Sequence, residues 1–107
     1  MQSVASDTQT ATVTTEHTLT TKTDAGVYIL VVDTKNMVAN DILELRINTK
    51  VAAGGTSGLA YMATFAHVQA EPLKYSIPVP VDTEIVCTLK QTAGAGGRDF
   101  PWNLLYM

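Results

Sequence analysis

DILELRINTKV, residues 41–51, is the stretch that predicts the fold of this chain. A period of two indicates a β-strand with one buried and one wet face, because successive side chains of a strand point to opposite sides. In a helix, Leu43 and Leu45 would lie about 200° apart. The apolar side of the predicted strand carries Leu43, Leu45, Ile47 and Val51, and the polar side carries Glu44, Arg46, Asn48 and Lys50.

Most of the remaining chain is also typical of strands, being rich in β-branched and aromatic residues or alternating in polarity. The predicted strands are TATVTTEHTLTTKT (10–23), GVYILVV (26–32), LAYMATFAHV (59–68), EIVCTLKQT (84–92) and WNLLYM (102–107). LKYSIPVPV (73–81) is predicted as an edge strand or an extended connector, because Pro78 and Pro80 cannot donate a ladder hydrogen bond. A helical turn is plausible only in TKNMVAND (34–41).

Six to eight short strands without a convincing helix predict an all-β protein. The expected architecture is a single antiparallel β-sandwich or small barrel, jelly-roll-like in form. A chain of 107 residues suits one core and one domain. We predict a polar N-terminal arm over residues 1–7 and a single β domain over residues 8–107.

Composition narrows the range of partners. Seven basic and ten acidic residues leave a net charge of −3, so nucleic acid is not an expected partner. No apolar run reaches the roughly 18 to 20 residues of a membrane span, and MQSVASDTQT lacks the features of a signal peptide. We therefore expect no membrane partner and synthesis in the cytoplasm. The single cysteine, Cys87, cannot form an internal disulfide.

Residues with catalytic or metal-binding chemistry are few and poorly spaced. His17 is expected at a solvated strand position and His67 at a strand end, and with Cys87 they match no metal-ligand spacing. Cys87 shares a strand face with Ile85 and Leu89, which predicts a small core residue and not a nucleophile. TSGLA (56–60) does not match the nucleophile motif G-x-S-x-G. We therefore expect no enzyme activity, no metal and no cofactor. The stability of the protein should be the same with and without a metal chelator, and with and without added DNA.

The end of the chain, LKQTAGAGGRDFPWNLLYM (89–107), holds the candidate site residues Gly94, Gly96, Gly97, Arg98, Phe100, Pro101 and Trp102. The glycine-rich loop lacks the spacing of a phosphate cradle, and no helix follows it. We interpret it as a sharp reversal that uses positive φ at its glycines, with its tip held in water by Arg98 and Asp99.

Beyond this loop the chain is predicted to return to the core. Pro101 fixes its own φ and restricts Phe100 to extended geometry. Trp102 is expected to pack in the core with Leu104 and Tyr106, while Phe100 points to the opposite side and seals the loop. A frayed tail is the alternative.

Five segments occur in a recognisable order: GVYILVVD (26–33), MVANDILELRI (37–47), GGTSG (54–58), YMATFA (61–66) and LKQTAGAGGRDFPWNL (89–104). Together they resemble a recurrent small virion protein of tailed double-stranded DNA bacteriophages. The resemblance covers about Gly26 to Leu104 and departs from the pattern in two places: GAGGRDF is one residue longer, and SIPVP replaces an SP-P element.

This resemblance implies a capsid decoration or cement protein that binds the outer surface of the assembled head. The implied partners are the major capsid protein of the same phage and copies of this chain as a homo-oligomer, with no catalytic residue. A tail tube, tail terminator or head completion protein and a non-catalytic binding module stay open as alternatives. The Thr-rich start and the aromatic finish of the chain are expected to act as adhesive ends, adding to a neighbour's sheet edge.

Overall fold

The computed structural model describes residues 1–107 as nine β-strands without a helix. The strands are β1 (Gln2–Thr10), β2 (Glu16–Lys22), β3 (Gly26–Asp33), β4 (Ile42–Thr49), β5 (Gly58–Ala66), β6 (Leu73–Tyr75), β7 (Val79–Val81), β8 (Ile85–Ala93) and β9 (Asp99–Tyr106). They form two antiparallel sheets packed as a sandwich, which confirms the predicted fold class. No helix is present that is long and apolar enough to cross a membrane.

The strand pairing is that of one long hairpin rolled into two layers. β1 pairs with β9, β2 with β8, β3 with β6 and β7, and β4 with β5, so that the pairs are nested. Pairing of β9 with β3 and of β8 with β4 then folds this hairpin into two sheets. Sheet 1 has the order β1-β9-β3-β6, with β7 also on β3, and sheet 2 has the order β2-β8-β4-β5. This is the strand order of a jelly roll whose sixth strand is interrupted.

The interruption between β6 and β7 lies at the predicted proline-containing connector. Ser76 stands between the two short strands, where its hydroxyl accepts a hydrogen bond from the Leu30 amide at 2.9 Å and its own amide donates to the Leu30 carbonyl at 2.8 Å. Pro78 and Pro80 cannot donate to β3. Both pieces pair with β3 alone, so the prediction of an edge strand is confirmed.

The core fills the space between the two sheets. Leu43, Leu45 and Ile47 of β4 are almost fully buried there, as the alternation predicts. The prediction for Val51 was wrong: β4 ends at Thr49, and Val51 is 97% exposed in the following loop. The period of two has no meaning once the chain leaves the sheet.

The N-terminal segment differs from the predicted arm. Gln2–Thr10 pairs with β9 over almost its whole length, so the β domain begins at residue 2 and not at residue 8. The predicted Thr-rich strand over residues 10–23 is divided by a turn, with β2 starting only at Glu16. Because β1 and β9 pair with each other, neither end of the chain is an unpaired strand, but β1 keeps one open edge. The polar side chains of β1 are compatible with an edge position, where one face and one edge meet water.

We expect substitutions in β4 to separate its two faces. Leu45→Ala should lower the free energy of unfolding by about 2–5 kcal/mol, because it leaves a cavity between the sheets. Arg46→Ala should cost less than about 1 kcal/mol, because Arg46 lies beside Glu44 on the outer face, where an ion pair contributes little. Urea unfolding of both variants measures the difference. A larger loss for Arg46→Ala would contradict the register.

Candidate functional site

Four loops meet at one end of the sandwich, and the glycine-rich loop over residues 94–98 is at their centre. The Ala11 amide donates to the Arg98 carbonyl at 2.9 Å, which joins the β1–β2 turn to this loop. The Asn36 side chain donates to the Asp99 carbonyl at 2.9 Å, which joins the β3–β4 loop. The His67 amide donates to the Asp41 carbonyl at 2.8 Å, which adds the end of β5. We call these connected loops the braced end.

Asp41 is the central charged group of the braced end. It is fully buried, and its Oδ2 accepts hydrogen bonds from the Val38 amide and from Arg98 Nε, both at 2.9 Å. Oδ1 has no protein partner and lies against Gly94. A buried carboxylate is costly unless it is paired, so the ion pair with Arg98 ties the glycine-rich loop to the start of β4.

The side chain of Gln91 occupies the inside of the glycine-rich loop. Its Nε2 donates to the carbonyls of Ala93 and Gly96, at 3.2 and 2.8 Å, and its Oε1 accepts from the Arg98 amide at 3.0 Å. Gln91 is fully buried. Gln91 therefore fills the inside of the loop and engages the Arg98 amide, one of the backbone donors that a bound phosphate would need, which supports the interpretation of the loop as a reversal and not as a cradle.

The three glycines of this loop have different roles. Gly94 has φ of +137°, and a Cβ there would lie 2.3 Å from Asp41 Oδ1. Gly97 has an ordinary φ but leaves no space, because a Cβ would overlap the Ala11 carbonyl oxygen. Gly96 faces open space. The prediction of positive φ thus holds for Gly94 alone, and Gly97 is required by close backbone approach.

Unusual backbone angles are concentrated at the braced end. The non-glycine residues with positive φ are Thr14, Asn40 and His67, with φ of 71°, 73° and 65°. Each is held by a hydrogen bond: the Thr14 amide donates to the Gln91 carbonyl at 2.7 Å, and the Asn40 amide donates to His67 Nδ1 at 2.9 Å. Such angles persist only where the surroundings enforce them. The hydrogen bonds described here supply that constraint.

Two predictions about the C-terminal candidates were wrong. Arg98 does not hold the loop tip in water, because it pairs with buried Asp41. Phe100 does not point away from Trp102: both lie on the inner face of β9, where Phe100 is fully buried and Trp102 is 8% exposed. Residues two apart in a strand share a face, so an extended Phe100 must follow Trp102 inward. Pro101 lies on the outer face, paired with Thr8.

The rest of β9 follows the predicted period of two. Leu104 is fully buried, and the Tyr106 ring stacks on Tyr28 with ring centroids 5.0 Å apart. The Tyr106 hydroxyl donates to the Ala25 carbonyl at 2.8 Å. The end of the chain is therefore an inner strand of sheet 1, between β1 and β3, and not a frayed tail.

The histidines and the cysteine lie in separate places. Cys87 is fully buried in the core, and burial raises the pKa of its thiol to about 12, so the thiol is neutral at physiological pH. His17 Nε2 accepts a hydrogen bond from the Thr12 amide at 3.0 Å. His67 accepts one through Nδ1, as described above. No group of three or more His, Cys, Asp or Glu side chains is arranged to hold a metal ion.

The opposite end of the sandwich has an open groove of about 740 Å³ beside the β4–β5 loop. Its polar side chains include Thr49 and Lys50, and both are engaged by Glu84. The Thr49 hydroxyl donates to the Glu84 carbonyl at 2.7 Å, and Lys50 Nζ lies 2.9 Å from Glu84 Oε2. Exposed Val51 also lines the groove. These contacts stabilise the loop, and the other polar side chains lining the groove are the exposed Thr56 and Asp82.

The outer face of sheet 1 is polar over β1 and at Asp33 and Asn103, but it is apolar over most of β3, over β6 and at the end of β9, and no element of the chain covers this apolar part. The side chains of the apolar part are Val27, Ile29 and Val31 of β3, Leu73 and Tyr75 of β6, and Leu105 of β9. They are neighbours by register, since Ile29 pairs with Leu105 and Val31 with Tyr75. Leu73 and Tyr75 are 53% and 60% exposed. We call this set the apolar face.

The outer face of sheet 2 has the opposite character. Glu16 of β2, Lys90 of β8 and Glu44 of β4 lie side by side in the ladder, with alternating charge. The Thr88 hydroxyl donates to Glu16 Oε2 at 2.6 Å. A sheet with one solvated face is expected to carry polar residues there, as sheet 2 does. Sheet 1 departs from that rule over most of β3, over β6 and at the end of β9, which marks the apolar face as a candidate docking surface.

Comparisons with known proteins give little further information. No protein-family model matches the sequence, and no curated protein matches it. Among solved structures, the chain is similar to one from infectious bursal disease virus, Gx strain, with 17% sequence identity and a TM-score of 0.40. That similarity covers 95% of this chain and 30% of the viral chain.

Sequence reasoning missed Asp41 and Gln91 as residues that organise the site. Gln91 could have been found, because it continues the inward series of Ile85, Cys87 and Leu89 and is therefore a polar residue directed into the core. For Asp41 the signal was weaker, since an acid before a strand is usually a solvated cap. Its burial depends on Arg98, which is distant in sequence.

Proposed function

We propose that this chain is a structural protein of the virion of a tailed double-stranded DNA bacteriophage, and specifically a decoration protein on the outer capsid surface. It is made in the host cytoplasm and binds the assembled head through the major capsid protein. The apolar face is the observation that carries this proposal, together with the five sequence segments that resemble such virion proteins.

The apolar face supports protein binding because of its size and composition. Six apolar side chains from three adjacent strands form one continuous surface, with Tyr75 as a large aromatic side chain at its edge. Aromatic and aliphatic anchors on a rigid sheet are typical of protein interfaces. Burial of Leu73 and Tyr75 against a shell would remove apolar surface from water.

The braced end supports the proposal in a different way. The resemblance segments contribute Asp41, Gln91 and Arg98, and these residues contact one another and hold the loops in place. They are therefore explained as residues that maintain the scaffold. A decoration protein needs such a rigid scaffold and no catalytic group, and copies bound across a repeating shell must all present the same surface.

Labelling the chain on purified particles of the encoding phage tests this function. We expect label over the whole head and a copy number of the order of hundreds by quantitative mass spectrometry. Label confined to one ring at a vertex would contradict decoration and indicate a head–tail joining protein, and label along the tail would indicate a tail protein. Absence from the particle would contradict a virion role altogether.

A binding experiment tests the apolar face directly. Particles grown without this chain should bind added wild-type protein, whereas Tyr75→Asp should reduce binding about tenfold or more, because it places a charge in a desolvated contact. Thr18→Asp is the matched control, since Thr18 is an exposed residue of the polar outer face of sheet 2. Equal binding by both variants, with both folded, would show that the apolar face is not the docking surface.

A further inference from the structure

The four edges of the two sheets are protected to different degrees. The edge strands β1 and β2 each contain a register shift and charged residues, Asp7 in β1 and Glu16 and Lys22 in β2. β6 and β7 have three residues each, with Pro78 between them and Pro80 within β7. Short length, bulges, charge and proline are the usual protections against edge-to-edge pairing.

β5 is an edge strand whose own residues supply little of this protection; the nearby charge is Lys74 of β6, whose Nζ lies over the Phe65 ring, 5.1 Å from its centroid. β5 has nine residues, GLAYMATFA, and contains neither a charged residue nor a proline. Its backbone ladder is to β4 alone, with a register shift near its start, and it is regular from Tyr61 to Ala66. Met62 is 50% exposed on its outer face. A long, uncharged edge of this kind is a template for another strand.

We propose that β5 pairs antiparallel with β5 of a second copy of this chain, which joins the two copies of sheet 2 into one sheet of eight strands. A copy of β5 fits because the strand contains no charged residue, so no like charges meet across the new ladder. Pairing of β1 or β2 with its own copy would instead place charged residues in the new ladder. The two-fold axis is perpendicular to the joined sheet, so each inward residue meets an inward residue of the copy.

The two aromatic residues of β5 select the register. With Ala63 on the axis, Tyr61 lies opposite Phe65 of the second copy and Met62 lies opposite Thr64. The aromatic pair is on the core side, where Tyr61 and Phe65 already pack against the core, and aromatic cross-strand pairs are favourable. Met62 and Thr64 lie on the outer face, where they can be changed without disturbing the core.

Charge-swap variants test this pairing. The variants Met62→Lys/Thr64→Lys and Met62→Glu/Thr64→Glu each place like charges opposite one another across the axis, and each should raise the dimer dissociation constant about tenfold or more. An equimolar mixture of the two should restore the dimer, because opposite charges then meet. Sedimentation over a concentration series measures the association, and circular dichroism confirms that each variant is folded.

Ser6→Lys/Thr8→Lys is the matched control, since both residues are exposed on another edge strand, β1. It should leave the dimer intact. A wild-type protein that stays monomeric at all concentrations would overturn the proposal, as would dissociation by the control or no recovery in the mixture. The pairing does not depend on the phage function, since β5 and Tyr75 lie on different surfaces and their variants are measured separately.

Discussion

Phe100→Ala is expected to lower the free energy of unfolding by about 3–5 kcal/mol, because it removes a large, fully buried side chain from the core. Phe100 lies at the start of β9, which is held between β1 and β3, so neither neighbouring strand is free to fill the cavity. A domain of this size has only about 5–15 kcal/mol of stability. Urea unfolding followed by Trp102 fluorescence measures the loss.

Trp102 supplies both the probe and a second variant. At 8% exposure, its emission in the isolated protein should be blue-shifted and protected from quenchers. Trp102→Ala should also lower the free energy of unfolding by about 3–5 kcal/mol. Because this variant lacks the fluorescent probe, its unfolding is followed by circular dichroism. Asn103→Ala is the control. Asn103 lies on the outer face, where it accepts a hydrogen bond from the Ser3 hydroxyl at 2.6 Å. Its replacement should lower the free energy of unfolding by less than about 1 kcal/mol. Exposed Trp102 emission would contradict the position of β9.

Arg98→Met should destabilise the fold by about 3 kcal/mol, because it leaves the carboxylate of Asp41 buried without its cation. The methionine keeps the apolar part of the side chain, so that the loss reports mainly on charge. Asp41→Asn should cost less, since Arg98 is 28% exposed and can turn towards water.

The double variant Asp41→Asn/Arg98→Met distinguishes an ion pair from two independent contacts. If the buried charge is the main cost, the double variant should be more stable than Arg98→Met alone, because it no longer contains an unpaired carboxylate. Thermal or urea unfolding of the three variants completes the cycle. Losses that simply add would show that Asp41 and Arg98 do not act as a pair.

Local patterns in the sequence were sufficient to predict the all-β class and most of the strands. The alternation in β4 and β8 reports which residues face the core, because the two faces of a strand differ in solvent exposure. GVYILVV was predicted as a strand, and β3 has two faces that are mostly apolar. Its outer face is nevertheless uncovered in the single chain, which is why the same run indicates both a strand and a candidate docking surface.

The sequence by itself thus determined most of the strands, the inward residues of β4, β8 and most of β9, and the reversal at the glycine-rich loop, because these depend on neighbours within a few residues. Only the tertiary structure decided that β1 pairs with β9, that Arg98 neutralises Asp41, and that β5 is an edge. Each of these joins residues far apart along the chain or depends on which strand lies next in a sheet. A period of two shows which way a side chain points, and it does not show what the side chain meets.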